Sequence, residues 1–504
     1  MPKKFLLLDT LLQFVLLSAP LLLSALPAAA QFSEPAVLPT YASGNALAAR
    51  VGLACNGDAA IAWNTDSAFA WVATRRNGAW ETEGLGGDDD PPELAMNDRG
   101  DLVVAWRASG EVCVRYRPAD GAFENERCFN DWGDFYRPSI ALSEAGTAIV
   151  TWVEGAFVND AYASVHPAGA TAWGNAEFVA TDISVTIDSI AVPSALDNAG
   201  NAIVAWHDAY ATYNAYLGST RELVGVRTRV RSGGSGAWGA VADVTPRPIV
   251  NPLSPGVVPS YNTPSLAADP VSGALLATFI GATDALMPDT LGGSDEEWQP
   301  DFENNRLWES KGSVTGGLGA ISEFGAGRIG ALETAGAPGF FAVAGWLGNP
   351  GTGGPGSDPS AGRSASASTP VLETIGPPRF GSTSFLARGV DVGADGTAAV
   401  TLDGEVWISG PLLGFSGPLD PLETREVDDI AVNCAGDVLV AGATAGFVDE
   451  EVRYAETPEP GAFAAGVAAF VALQAKRAAR KRSATSPAVA ANPRAVASAS
   501  GASS

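Results

Sequence analysis

The stretch Pro193–Trp206, PSALDNAGNAIVAW, recurs along the chain, and this recurrence constrains the fold more than any other feature. It reads as a short apolar strand, a tight turn at Asp197-Asn198-Ala199-Gly200, and a second strand ending in Trp206. An Asp that opens a turn accepts a backbone N–H two residues on, and a Gly at the fourth place supplies the positive φ. The run Ala202–Trp206 has no polar face, so burial on both sides is expected.

Clear copies are Leu47–Trp63, Pro92–Trp106, Pro138–Trp152 and Pro193–Trp206. Weaker ones follow at Pro264–Phe279, Ile329–Trp346, Val390–Leu402 and Asp429–Gly442, eight in all. A period of roughly 45 residues means one supersecondary unit per repeat, too small to bury its own faces. Four strands of five or six residues with their turns fill about that length. After each copy comes material for two outer strands, such as Ala70–Thr74 and Trp80–Glu83, or Val226–Val230 and Trp238–Val244. Four-stranded sheets packed face to face around an axis make a β-propeller. The expected fold is therefore all-β, a propeller of seven or eight four-stranded blades, with eight favoured by the count. Two stacked β domains are the alternative.

The ends support closure. Gln31–Ser43 resembles an outermost strand without a blade of its own, while the last copy is followed by one further strand, Glu451–Tyr454. The N-terminal strand is expected to complete the last blade and so remove two exposed sheet edges. Two insertions interrupt the later repeats. Asp284–Lys311 is acidic and holds Trp298 and Trp308, and 349–370 is rich in Gly, Ser and Pro and reads as a disordered loop. The propeller is expected to span 31–455.

Residues 1–30 read as a signal peptide. Lys3 and Lys4 precede an apolar run, and Ala28-Ala29-Ala30 supplies small residues for cleavage after Ala30. An N-terminal membrane anchor is the other reading. Four cysteines fit an oxidising compartment. Cys113 and Cys128 flank a hairpin containing Pro118-Ala119-Asp120-Gly121 and are a disulfide candidate. Cys55 and Cys434 hold the same place in the first and last copies, and whether two such positions come within bonding reach stays open.

A net charge of −26 excludes nucleic acid as a partner, because phosphate binding needs clustered Lys and Arg. Asp88-Asp89-Asp90 could hold Ca²⁺, although its spacing matches no EF-hand and a solvated acidic turn explains it as well. No other cofactor is expected. His166 and His207 are the only histidines, and there is no GxSxG, Walker-type or HExxH motif. The repeat differs from the Asp-box of sialidase propellers, Ser-x-Asp-x-Gly-x-x-Trp, having Asp-x-x-Gly-x-x-x-x-Trp instead. Its Asp and Gly are turn chemistry.

The tail changes character at Pro458-Glu459-Pro460, continues uncharged over Gly461–Ala475, and ends in a basic cluster, Lys476 to Arg482. Residues 456–482 resemble the C-terminal sorting signal of the PEP-CTERM class of exported bacterial proteins, and the charge placement obeys the positive-inside rule. The resemblance implies recognition by an exosortase-type transpeptidase, cleavage at the motif, transient membrane contact and delivery to the surface or extracellular matrix. Without it, the segment reads as an Ala-rich disordered tail, as does 483–504. The functional expectation is an exported, non-enzymatic propeller that binds a surface, glycan or protein ligand. The alternative is a secreted propeller hydrolase acting on glycans.

Overall fold

The fold is taken from a computed structural model that describes residues 32–457. Stretches at 39–45, 131–137, 156–158, 184–191, 215–219, 247–257, 285–305, 349–355, 376–378, 381–386, 411–413, 423–426 and 444–451 lie outside the description, with a few shorter gaps. Every regular element among the described residues is a strand. They form eight antiparallel sheets, hydrogen-bonded in chain order except that the N-terminal strand closes the last sheet and one short strand adds to the sixth off the path.

Blade 1 consists of β2 (Ala46–Leu53), β3 (Ala59–Thr65), β4 (Phe69–Arg76) and β5 (Ala79–Gly86). Blade 2 has β6 (Glu93–Met96), β7 (Leu102–Ala108), β8 (Glu111–Arg117) and β9 (Arg127–Asn130). In blade 3 these are β10 (Ser139–Leu142), β11 (Ala148–Glu154), β12 (Asp160–His166) and β13 (Glu177–Ala180). Blade 4 follows with β14 (Ser194–Leu196), β15 (Ala202–Asn214), β16 (Thr220–Arg231) and β17 (Trp238–Asp243). Blade 5 holds β18 (Val258–Ala268), β19 (Ala274–Asp284), β20 (Arg306–Ser313) and β21 (Gly317–Ala326). Blade 6 comprises β22 (Ile329–Ala337), β23 (Phe340–Gly348), β24 (Gly356–Ala365) and β25 (Val371–Thr374), with short β26 (Arg379–Phe380) also paired to β24. Blade 7 is β27 (Ala387–Val392), β28 (Ala398–Leu402), β29 (Glu405–Ser409) and β30 (Phe415–Leu419). Blade 8 combines β31 (Asp429–Val432), β32 (Val438–Ala443) and β33 (Val452–Glu456) with the N-terminal β1 (Ala36–Val37). Eight blades in a closed ring make an eight-bladed β-propeller and set aside the seven-bladed and stacked-domain alternatives.

The repeat explains the packing. The second strand of each blade sits between two neighbouring sheets, and β3 is buried at every position. Trp63, Trp106, Trp152 and Trp206 are all buried to 2% exposure or less, and Phe279 takes the same place in blade 5. Blade 7 ends its second strand in Leu402 and fills the space from β29 with Trp407. An apolar cluster occupies each interface between successive blades, for example Val104, Trp106 and Cys113 against Ala60, Ala62 and Val72.

The turns behave as the sequence implies. Asp197 Oδ1 accepts from the N–H groups of Ala199 and Asn201, each at 2.9 Å, and Gly200 has φ +77°. Asn97 and Asn433 cap their turns in the same way.

Closure is threefold. β1 pairs with β33, Ala36 opposite Tyr454, and Ser33 N–H donates to Glu456 O at 2.7 Å. Blade 1 reaches across to blade 8 through Trp80 Nε1, which donates to Tyr454 OH at 2.8 Å, and through an Arg75–Glu456 ion pair. Cys55 and Cys434 form a disulfide, with Cα atoms 5.4 Å apart. The question the sequence left open is answered by the turns, which converge near the axis. One blade further on, Cys55 N–H donates to Asp98 O at 3.0 Å from the equivalent turn.

The two insertions differ from expectation. Asp284 ends β19 and Arg306–Ser313 is β20, so only the residues between them separate two paired strands. Trp308 packs with Phe279 and Val226. Within 349–370, expected to be a loop, Gly356–Ala365 forms β24, paired on both sides. A ladder needs only backbone groups, and two neighbouring strands override a weak Gly/Ser propensity.

Candidate functional site

The repeat breaks at one layer of the central channel. Three pairs back from the pair that closes the turn, the innermost strands place Arg50, Glu93, Ser139, Ser265, Gly389 and Asp429. Pro193, whose carbonyl accepts from Ala205 N–H, takes that place in blade 4, and Glu333 of blade 6 stands one pair further back, beside a shorter turn. Neighbouring positions are mostly Val, Leu, Ile and Ala. Here four are charged, from blades 1, 2, 6 and 8, and Asp391 of blade 7 stands two residues closer to the turn.

Arg50 is the hub. Its Nε lies 3.4 Å from Glu93 Oε2, and both side chains are 23% exposed, deep but within reach of water. Asp429 Oδ2 accepts from Val51 N–H at 2.9 Å, and Asp391 Oδ2 accepts from Val432 N–H at 2.7 Å. Each carboxylate thus pins the innermost strand of the next blade. Gly389 makes room for this, since a Cβ there would lie 2.5 Å from Asp429 Oδ1. On the opposite side the layer is neutral, with Ser265 Oγ accepting from Thr334 N–H at 3.0 Å.

Glu93 chiefly, with Asp429 and Glu333, holds Arg50 firmly charged against the cost of burial. Burial pushes the Glu333 carboxyl up to about 8; Arg50 opposes this, while Asp429 and Glu93 add to it. Burial likewise raises Asp429 to about 7, against the pull of Arg50 and the Val51 N–H. Asp391 is raised to about 7 by burial, and Asp429 and Asp98 push the same way. At the turn mouth, burial and the nearby Asp98 lift Glu144 to about 7. Carboxyl groups that titrate near neutrality beside a fixed guanidinium can exchange protons, or grip polar and cationic groups.

The residues singled out from sequence fall elsewhere. Asp90 is 2.9 Å from Arg107 Nη1, and Asp88 and Asp89 lie outside the described residues. Ala30, Pro458, Glu459 and Pro460 also lie outside them. Cys113 and Cys128 stand directly opposite each other on β8 and β9 and are disulfide-bonded. Asp98 with Cys55 and Cys434, and Glu111 with Cys113 and Cys128, bring three metal-type ligands together. In both groups the sulfurs are committed to disulfides, which leaves one carboxylate each. His166 is fully buried, stacked on Tyr116 at 4.2 Å with Nε2 3.0 Å from Glu124 Oε2, and so serves the blade 2–blade 3 interface. His207 is buried as well. Arg50, Glu93, Glu333, Asp391 and Asp429 were not singled out from sequence. The available signal was a lone charged residue three or four positions before the turn in the innermost strands of blades 1, 2, 6 and 8.

The fold and channel define an eight-bladed β-propeller with a charged layer at its axis. No protein-family model matches the chain. No curated protein matches it either. Solved structures with a similar fold include a protein of unknown function from Dyadobacter fermentans, 10% identical over 84% of this chain and 98% of that one, TM-score 0.36. An α-L-arabinofuranosidase from Fusarium graminearum is 11% identical over 84% and 95%, TM-score 0.34. The β-propeller domain of a trilobed protease from Pyrococcus furiosus is 8% identical over 72% and 94%, TM-score 0.36. Such likenesses concern the fold and assign no residue of this chain a role.

Proposed function

We propose that this protein is an exported, non-enzymatic propeller acting as a binding or structural module of the cell surface or extracellular matrix, sorted through its C-terminal tail. The observation that carries the reading is the Cys55–Cys434 disulfide between the first and last blades. Such bonds form and persist in oxidising compartments and are rare in the cytosol, and this one turns the ring into a covalently closed scaffold suited to display. The second disulfide, the signal-like N-terminus and the Pro458-Glu459-Pro460 tail support the same address. An exosortase-type enzyme is the partner implied by the tail, with the 461–475 segment touching the membrane only in transit. Among the described residues no helix is long and apolar enough to cross a membrane. Mass spectrometry of the protein from fractionated cells tests the reading. A chain starting at Gln31, trimmed near Pro458–Pro460 and carrying two disulfides is expected outside the cell. An intact, reduced chain in the cytosol would overturn it.

One observation favours a hydrolase as a second reading. Glu333, raised to about 8, remains a proton donor at neutral pH, and it interacts with Asp429, raised to about 7. Glycoside cleavage uses two carboxyl groups of which one donates a proton while the other is ionised, and this pair could divide the roles only above about pH 7. Oligosaccharide cleavage abolished by Glu333→Gln would establish this reading, and a panel of oligosaccharides left intact by the wild type would remove it.

A further inference from the structure

A second place outside the channel has the form of a binding site. Between blades 3 and 4, on the outer flank of the ring, lies a cavity of about 430 Å³. That size is within the range of small-molecule sites. Phe178 of β13 and Val241 of β17 line it, and both are exposed large apolar side chains, 48% and 45%. Trp206 is buried at its lining, and Arg227, Asp243 and Thr181 supply the polar groups.

The walls are stitched together. Glu177 of β13 takes two hydrogen bonds from Arg231 of β16, each at 2.8 Å, and one from Trp238 Nε1 at 2.7 Å. Arg229 Nη1 donates to Val179 O at 2.7 Å, and Arg229 Nε donates to Gly239 O at 2.8 Å. The Phe178 ring is held edge-on by Tyr162 at 5.9 Å, at the outer end of an aromatic row through Trp152. A site fixed in this way loses little entropy on binding.

Its chemistry selects the ligand class. Arg227 is ion-paired with Asp208 and lies 2.9 Å from Asp243 Oδ1, so its charge is already balanced by two carboxylates. Arg229 is spent on carbonyls. An anion would therefore have to displace carboxylates from Arg227 or carbonyl oxygens from Arg229, on a chain of net −26. A wholly apolar ligand would strip water from Asp243, whose side chain is 37% exposed, and give nothing in return. A neutral polyhydroxyl ring has the matching parts. Its C–H face can lie on Phe178, one hydroxyl can donate to Asp243, and its neighbour can accept from Arg227.

We propose that the cavity between blades 3 and 4 binds a neutral sugar ring, with Phe178 as the stacking platform and Asp243 and Arg227 as the hydroxyl partners. This names a ligand class for the binding-module reading and rests on that reading for its setting, not for its chemistry.

The test is saturation-transfer NMR on the purified full chain with the methyl glycosides of glucose, galactose, mannose and xylose, and with methyl glucuronide as the anionic control. At least one neutral glycoside should bind. Phe178→Ala and Asp243→Asn should each weaken it tenfold or more while circular dichroism and melting stay unchanged. If Asp243→Asn perturbs the fold, Thr181→Trp fills the cavity from an exposed position and should abolish binding. No neutral glycoside bound, a preference for glucuronide, or unchanged affinity in Phe178→Ala would each overturn the proposal. A chain retained in the cytosol would sink the module reading and leave a positive groove result standing. An exported chain that binds no glycoside would do the reverse.

Discussion

Removing the Cys55–Cys434 bond should cost more than removing Cys113–Cys128, and the structure gives the size of the gap. The first bond joins residues 379 apart in sequence, the second residues 15 apart. In the chain-entropy treatment each cross-link stabilises by restricting the unfolded chain, by about 6 kcal/mol for the long loop and about 3 kcal/mol for the short one. The gap of about 3 kcal/mol grows only with the logarithm of the loop ratio, so it tolerates small errors in loop length. Alanine pairs are the suitable variants. Cys55 and Cys434 lie half-buried in turns, whereas Cys113 is 1% exposed, so Cys113→Ala adds a small cavity cost. That extra term narrows the measured gap, so the comparison is conservative. Urea unfolding of the wild type, Cys55→Ala/Cys434→Ala and Cys113→Ala/Cys128→Ala measures all three stabilities. A ring-closing variant that loses no more than the hairpin variant would refute the reasoning and place ring stability in the β1–β33 pairing and the blade 1–blade 8 core.

Three further outcomes are expected. The carboxyls of Glu333, Asp429 and Asp391 sit above their unfolded values, at about 8, 7 and 7. Their contribution is thus full below about pH 4 and is lost as pH rises through 7 to 8. The urea midpoint should fall across that window, and Glu333→Gln should flatten the fall; an unchanged slope would exclude Glu333 as a source. Asp197→Ala should cost about 1–3 kcal/mol, because Asp197 Oδ1 holds two backbone N–H groups, while Asp197→Asn should cost little since Asn97 and Asn433 do the same work. Equal losses in the two variants would contradict this. Trp152→Ala should cost about 3–5 kcal/mol by thermal melting, since the indole is fully buried, and a loss under 1 kcal/mol would show that the blade interface can collapse around the gap.

The scaffold was legible because each blade states it again. Asp197, Gly200 and Trp206 are intelligible singly as a turn and a packing residue, and their copies supply the blade count and the closure by Gln31–Ser43. Two features stayed hidden. β24 carries Gly, Pro and Ser that read as a loop, and only its neighbours β23 and β25 turn it into a strand. The Cys55–Cys434 bond needed a distance between turns of different blades, which repeat spacing does not provide. The charged layer escaped for another reason. Asp429, Glu333, Glu93 and Arg50 each stand alone in otherwise apolar strands, and only the ring brings them to one height on the axis.

That arrangement separates the scaffold from what it carries. Residues that recur, such as the turn caps, the positive-φ glycines and the second-strand tryptophans, are spent on holding one blade and joining it to the next. Positions where the copies disagree are released from that duty. The layer from Arg50 to Asp429 is the sharpest disagreement, because flanking strand positions keep their apolar character while this one holds Arg, Glu, Ser, Pro, Gly and Asp. Burying such charge costs stability unless it is paired, and here the pairing is incomplete, with three carboxylates of the layer facing one guanidinium. A scaffold alone would be served better by Ala or Val at every blade. The groove between blades 3 and 4 follows the same logic, because Phe178, Arg227 and Asp243 have no counterparts of the same type in the corresponding strands of blade 1. Any activity of this propeller therefore has two addresses to be tested, one on the axis and one on the flank. The substitutions Glu333→Gln and Phe178→Ala address them independently, since the two residues lie in different blades and share no contact.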